Sequence, residues 1–147
     1  MPNLVKIYNP KDHVFVFGSV IVEGFAEDSF IKFTPNADNT EDSSGVDGEV
    51  VISQTTDRRG TFEITLQATS KSNDELSIYD NLARNAPRMV GAIHPVTLKN
   101  LNGASVISGP NAWVMKTPEK TLGKTVGTTV WTIRVAHYEK ADGGNIA

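Results

Sequence analysis

Between Thr61 and Thr69 the chain alternates without a break. Phe62, Ile64, Leu66 and Ala68 interleave with Thr61, Glu63, Thr65 and Gln67. A strand with one apolar and one polar face must lay the apolar face on other protein, so this period of two predicts a sheet with one covered side. Similar segments recur along the chain. Residues 49–56 carry Val50 and Ile52, and Asp57-Arg58-Arg59-Gly60 between them and 61–69 predicts a hairpin connection with Gly60 at positive φ. Asn102-Gly103, between 96–100 and 104–108, predicts a second hairpin with a type I′ turn. Residues 13–22 are apolar on both faces apart from Gly18-Ser19, which predicts one buried strand kinked at the glycine. Residues 30–34, 112–116 and 129–138 add three more strands. In the last, Trp131, Ile133 and Val135 share a face opposite Thr132 and Arg134. Roughly seven or eight short strands is the count of a sandwich or barrel.

One segment changes period. Ser72-Asn73-Asp74-Glu75 has the spacing of a capping box, and Leu76, Tyr79, Leu82, Ala83 and Ala86 then fall on one helical face. Asp74 and Glu75 suit the positive end of the helix dipole, Asp80 and Arg84 are spaced as an i, i+4 pair, and Pro87 stops the run. The spacing predicts a helix over 73–85 that packs Leu76, Tyr79 and Leu82 on the sheet and leaves Asp74, Asp80 and Arg84 outside. The fold class is therefore mainly β, an antiparallel β-sandwich or partly open barrel with one flanking α-helix. At 147 residues a single domain over 1–147 is expected. Met1–Asn9 and Lys140–Ala147 carry too little apolar surface to pack alone and are expected to be flexible.

Composition excludes several chemistries. The chain has no cysteine, which removes disulfides, thiolate metal sites and thiol nucleophiles and suits a reducing site of synthesis. No apolar run approaches the roughly 20 residues of a membrane-spanning helix, and the first residues do not read as a signal peptide. His13, His94 and His137 fall at neither H-x-H nor H-x3-H spacing. The acidic stretch from Asp38 to Glu49 lacks the spacing of a calcium loop, and no G-x-S-x-G elbow occurs. No catalytic residue, cofactor or metal is expected.

Charge is unevenly distributed. Residues 23–57 hold nine acids against Lys32, whereas residues 84–140 hold eight bases against Glu119 and Glu139. The net charge is -3 and the bases are dispersed, so tight DNA binding is disfavoured; a surface that lets DNA pass without holding it fits better. Acidic and basic thirds read either as two solvated faces, the usual meaning of charge runs, or as a head-to-tail self-association surface. The 14 residues from Pro35 to Gly48 are polar, and a loop of that length is uncommon unless functional or disordered. A long hairpin extension would account for it.

Residues 45–85 resemble the tail tube proteins of contractile-tailed bacteriophages. The resemblance runs through Asp47-Gly48-Glu49 opening a strand, a charged turn ending in Gly60, and an alternating strand ending in Ala68-Thr69-Ser70. Asn73 and a helix with Leu76 and Tyr79-Asp80 follow. Lys116-Thr117-Pro118 and Val130-Trp131-Thr132 extend it, so that it covers about 45–138. Met1–Lys11 reads as an extension. The resemblance implies a sandwich-like virion subunit that forms hexameric rings stacked into a hollow tube. The subunit sheets would join edge to edge around the channel, and an extended loop would reach the next ring. It further implies a contractile sheath outside, baseplate or initiator and terminator proteins at the ends, passage of DNA during ejection, and assembly in the host cytoplasm. Secretion-system and pyocin tubes share the architecture.

Three sets of residues follow as expectations. Asp38, Glu41, Asp42 and Asp47 on the 35–48 loop would dock on the adjacent ring, with Arg88, Lys116, Lys120 and Lys124 as electrostatic partners. Ser53, Thr55, Glu63, Thr65 and Gln67 would line the lumen. Leu76, Tyr79 and Leu82 would seat the helix. The competing reading is a stand-alone β-sandwich module for carbohydrate or protein, with Trp113, Trp131 and Tyr138 as a stacking platform; alternation instead favours Trp131 in the core. A metal-dependent sandwich enzyme using the histidines is a third.

Overall fold

The computed structural model describes residues 8–26, 30–120 and 122–143. Its strands are β1 (His13–Phe17), β2 (Val20–Ile21), β3 (Ile31–Pro35), β4 (Thr40–Ser44), β5 (Val50–Gln54), β6 (Gly60–Gln67), β7 (His94–Asn100), β8 (Val106–Lys116), β9 (Thr128–Val135) and β10 (Glu139–Ala141), with one helix, α1 (Ser72–Asn85). The main sheet runs β2-β1-β7-β8-β9-β6-β3, with β10 on the first part of β8. Every described pairing is antiparallel, and β4 and β5 form a separate two-stranded sheet.

The sheet curls on itself. Phe15 of β1 and Phe62 of β6 are separated in the sheet order by β7, β8 and β9, yet their rings meet edge to face at 5.2 Å. The concave side is the core, with Phe15, Phe17, Phe62, Ile64, Leu66, Val96, Ile133 and Val135 fully buried. Among the described residues the ladder stays open, and an isolated bridge from Phe25 to Leu66 links the segment after β2 to β6.

β6 keeps the face its alternation predicts: Phe62, Ile64 and Leu66 point into the core, while Glu63 and Gln67 are exposed. Its partners are not the ones the sequence suggested. β6 lies between β9 and β3, and 49–56 does not pair with it. Asp57–Arg59 therefore joins an outlying hairpin back to the sheet instead of closing a turn. Gly60 does not have positive φ. It is needed because a Cβ there would lie 2.5 Å from the Phe33 ring and 3.1 Å from Tyr138.

Other boundaries moved for local reasons. Residues 13–22 are two strands, because Gly18 at φ 61 opens a two-residue turn that sets Phe17 opposite Val20. A Gly-Ser pair is a recognised signal for such a turn. Residues 104–108 and 112–116 are one strand running through Gly109-Pro110, where the pairing with β7 shifts register and tolerates proline. The 129–138 strand breaks at Ala136, and β10 resumes on β8, so part of the C-terminal tail does pack. The Asn102-Gly103 hairpin exists without a type I′ turn, since neither residue has positive φ. Asn100 N–H donates to Ser105 O, and the buried Asn100 side chain accepts from Asn102 N–H at 3.0 Å.

α1 crosses the end of the curled sheet. Leu76 is fully buried, and Tyr79 packs edge to face on Phe17 and against His94. Leu82 is only half-buried. The Ser72–Glu75 capping box does not form: Ser72 lies inside the helix, and its Oγ accepts from Glu23 N–H at 2.9 Å. Ser70 Oγ instead accepts from Ser72 N–H at 3.2 Å and donates to Glu23 O at 2.6 Å. Ser72→Ala is thus expected to cost about 1 kcal/mol in a thermal melt by orphaning a strand-exit amide, with helix content unchanged. Asp80 is buried, against the sequence expectation, because Thr117 Oγ1 donates to it at 3.1 Å and Arg84 covers it at 3.5 Å. Trp131 Nε1–H donates to Asn73 Oδ1 at 2.8 Å, and Asn73 Nδ2 donates to Gln67 O. That side chain fastens the helix start to the ends of β6 and β9.

Candidate assembly surfaces

The polar 35–48 segment is half of a hairpin. β4 pairs with β5 from Thr40 opposite Gln54 to Ser44 opposite Val50. The tip turns through Gly45–Gly48, with Gly48 N–H on Gly45 O, Gly45 N–H on Glu49 O, and Gly48 at φ 81. Positive φ at that position is the glycine bulge of a type I hairpin loop. Every residue of both strands is exposed. An isolated two-stranded ribbon is marginal in water, so this one lacks the covering layer that would hold it.

The hairpin carries apolar side chains as well as acids. Val46 is fully exposed, and Val50, Val51 and Ile52 are each more than half exposed. Ile52 stands opposite Asp42 and Val50 opposite Ser44, which puts Val50 and Ile52 on one face and Val51 with Glu41 and Ser53 on the other. The four predicted acids are therefore not one patch. Glu41 and Asp42 face opposite ways, Asp47 is at the tip, and Asp38 is at the base beside Arg58, Tyr138 and Lys140. Sequence reasoning passed over the apolar group. Its signal was the unbroken Val50-Val51-Ile52, which a strand covered on one side alone does not need.

The hairpin base is fixed by charge. Arg59 Nε and Nη2 reach the two Asp57 carboxylate oxygens at 2.9 and 3.0 Å, and Arg59 N–H adds a third bond at 3.1 Å. Chiefly through the side-chain bond from Arg59, the Asp57 carboxyl falls from 3.8 to about 2. A carboxyl lowered on folding contributes stability above its unfolded value, lost as pH falls through the folded one. A carboxyl-resolved NMR titration should place Asp57 near 2 and move it back towards 3.8 in Arg59→Ala.

Among the described residues the outer edge of β3 is open. Thr65 N–H donates to Phe30 O and Asn36 N–H to Arg59 O, so the even-numbered residues of β3 bond to β6. Ile31, Phe33 and Pro35 turn their backbone groups outward, and Pro35 has no donor to present, as suits an edge. The convex face of β3, β6 and β9 is polar. Glu63, Thr65 and Gln67 stand there opposite Thr132, Val130 and Thr128, with Lys32 beside Glu63. Ser53 and Thr55 are not on this face: Ser53 is in β5, and Thr55 follows it with N–H bonded to Asn39 O.

The stacking platform is not assembled, since Trp131 is in the core while Trp113 stands opposite Arg134 on the other side of the sheet. His13 and His94 lie in β1 and β7, and His137 lies in the bend after β9. Among the described residues no group of three or more His, Asp or Glu is placed to hold a metal ion.

The family described as Bacteriophage PhiTE tail tube protein matches residues 15–143. The chain belongs to this tail tube family, and it is a tube-type structural protein of the phage virion tail. In fold it is similar to the anti-feeding prophage cap, the AFP tube terminating cap, seen by cryo-electron microscopy. The TM-score is 0.61 at 10% identity over 95% of each chain. A search of curated proteins gives no match.

Proposed function

We propose that this chain forms hexameric rings that stack into the hollow tube of a contractile tail and conduct DNA during ejection. The observation that carries the reading is the β4–β5 hairpin, exposed along its whole length with Val46, Val50 and Ile52 uncovered. Such a ribbon costs stability in a free subunit and gains it only when another surface covers it. The open edge of β3 suits edge-to-edge joining within a ring, since closing a sheet into a barrel removes its edges. Head-to-tail stacking is the symmetry that a hairpin at one end of the subunit would serve.

The convex face with Glu63, Thr65 and Gln67 is the proposed channel wall. Its short hydroxyl side chains and near-balanced charges leave phosphate little to hold. Ser53 and Thr55 belong with the hairpin in this arrangement. A sheath outside, baseplate or initiator and terminator proteins at the ends, and assembly in the host cytoplasm complete the reading. Negative-stain microscopy of the concentrated protein tests it. Tubes or rings support it, and a monodisperse monomer at high concentration overturns it in favour of the stand-alone module.

A further inference from the structure

The hairpin and the helix sit at opposite ends of one strand. β6 begins at Gly60, just after the hairpin, and ends at Gln67, to which Asn73 at the start of α1 is bonded. α1 then runs along that far end to the Gly18 turn, where Tyr79 meets Ser19 and His94. One side of it is not covered: Ile78 is 61% exposed and Leu82 is only half-buried. The turn after the helix folds beside Leu82, since a Cβ on Gly91 would lie 3.6 Å from Leu82 Cδ1, and it exposes Val90 by 68%. Arg88, two positions before Val90, is exposed. Arg84 is already paired with the buried Asp80 at 3.5 Å, and Asp74 and Glu75 lie at the other end of the helix, which leaves Arg88 without an ion pair among the described residues.

The turn is also strained. Arg88 and Met89 both have φ of 54, a left-handed conformation that non-glycine residues adopt at a cost. Strain of this kind persists where the surroundings impose it and gathers at binding sites. Here it falls in the turn that exposes Val90.

The hairpin has the opposite charge: apolar Val50 and Ile52 share a face with Asp42, and Val46 adjoins Asp47 at the tip. We propose that the open side of α1 and the turn after it, with Ile78, Leu82, Val90 and Arg88, is the acceptor for the β4–β5 hairpin of a second copy. This rests on the tube reading above. Apolar groups of similar kind meet, Arg88 meets carboxylates, and donor and acceptor lie at opposite ends of the subunit, so the contact repeats without limit. The irregular segment carrying Lys116, Lys120 and Lys124 is at the same end. Glu119 interrupts its charge, and no helix or strand holds residues 117–120 or 122–127.

The absence of native cysteine makes a clean test. Val46→Cys and Ile78→Cys, both at exposed sites, are purified separately, mixed as subunits, concentrated, and treated with a short bis-maleimide. The expected result is a cross-linked dimer in the mixture and in neither variant alone, and a ladder of multimers from the double variant. Arg88→Glu should shorten tubes, and Asp47→Lys should restore part of the loss. If tubes form and Val46→Cys couples to Lys120→Cys instead of Ile78→Cys, the acceptor is the 116–124 segment; this inference fails while the tube reading stands. Tubes with neither cross-link also overturn it. Protein that melts normally but stays monomeric overturns both.

Discussion

A chain in which residues 40–54 are replaced by a short Gly-Ser turn is expected to melt where the intact chain melts and to form no tubes. No residue of β4 or β5 is buried, so the deletion removes nothing from the core. The magnitudes say which part of the hairpin matters most. Exposed ion pairs contribute about 0.2–1 kcal/mol each, whereas full burial of a Val or Ile side chain contributes about 1.5–3 kcal/mol. Neutralising Asp38, Glu41, Asp42 and Asp47 should weaken stacking modestly and make it less sensitive to salt. Val50→Ser with Ile52→Ser should weaken it much more. Long tubes from the hairpin-less chain, seen by microscopy under conditions where the intact chain assembles, would show that another element stacks the rings.

Leu76→Ala should cost about 2–5 kcal/mol, because Leu76 is fully buried where α1 meets the sheet. For a chain of this size that lowers the melting temperature by on the order of 10 °C. Ile78→Ala, two residues on and mostly exposed, should leave the melt unchanged and act on assembly alone. The pair separates what the helix does for its own subunit from what it offers a neighbour. Equal melts for Leu76→Ala and the intact chain would place the helix on a different face.

Where a residue faces the chain's own core, its role was legible in the sequence. Phe62, Ile64 and Leu66 alternate and are buried; Leu76 and Tyr79 are spaced for one helical face and meet the sheet. Trp131 was placed in the core by alternation, although its bond to Asn73 was not foreseen. Pairing was less legible, because periodicity gives a strand's faces and not its neighbours. The 49–56 segment reads as a partner for 61–69 only if consecutive strands pair, and here β5 pairs backward with β4. Single side chains also have more than one use. The Ser72 hydroxyl that fits a capping box is bonded to Glu23, a residue 49 positions away. The candidate surfaces were the least legible. Their polar residues were found by composition, but Val46, Val50 and Ile52 look like core residues until the structure shows them uncovered.

The position of β6 has a mechanical consequence. The hairpin enters at its Gly60 end and the helix is tied to its Gln67 end, so in the proposed stack a pull between subunits would run along this one strand. β6 is in register with β9 at eight positions and with β3 at five. A load parallel to the strand would shear those bonds together instead of opening them one after another. A tube built this way would resist stretching through its most densely bonded strand, while the hairpins, joined to it by the short Asp57–Arg59 link, would take up bending.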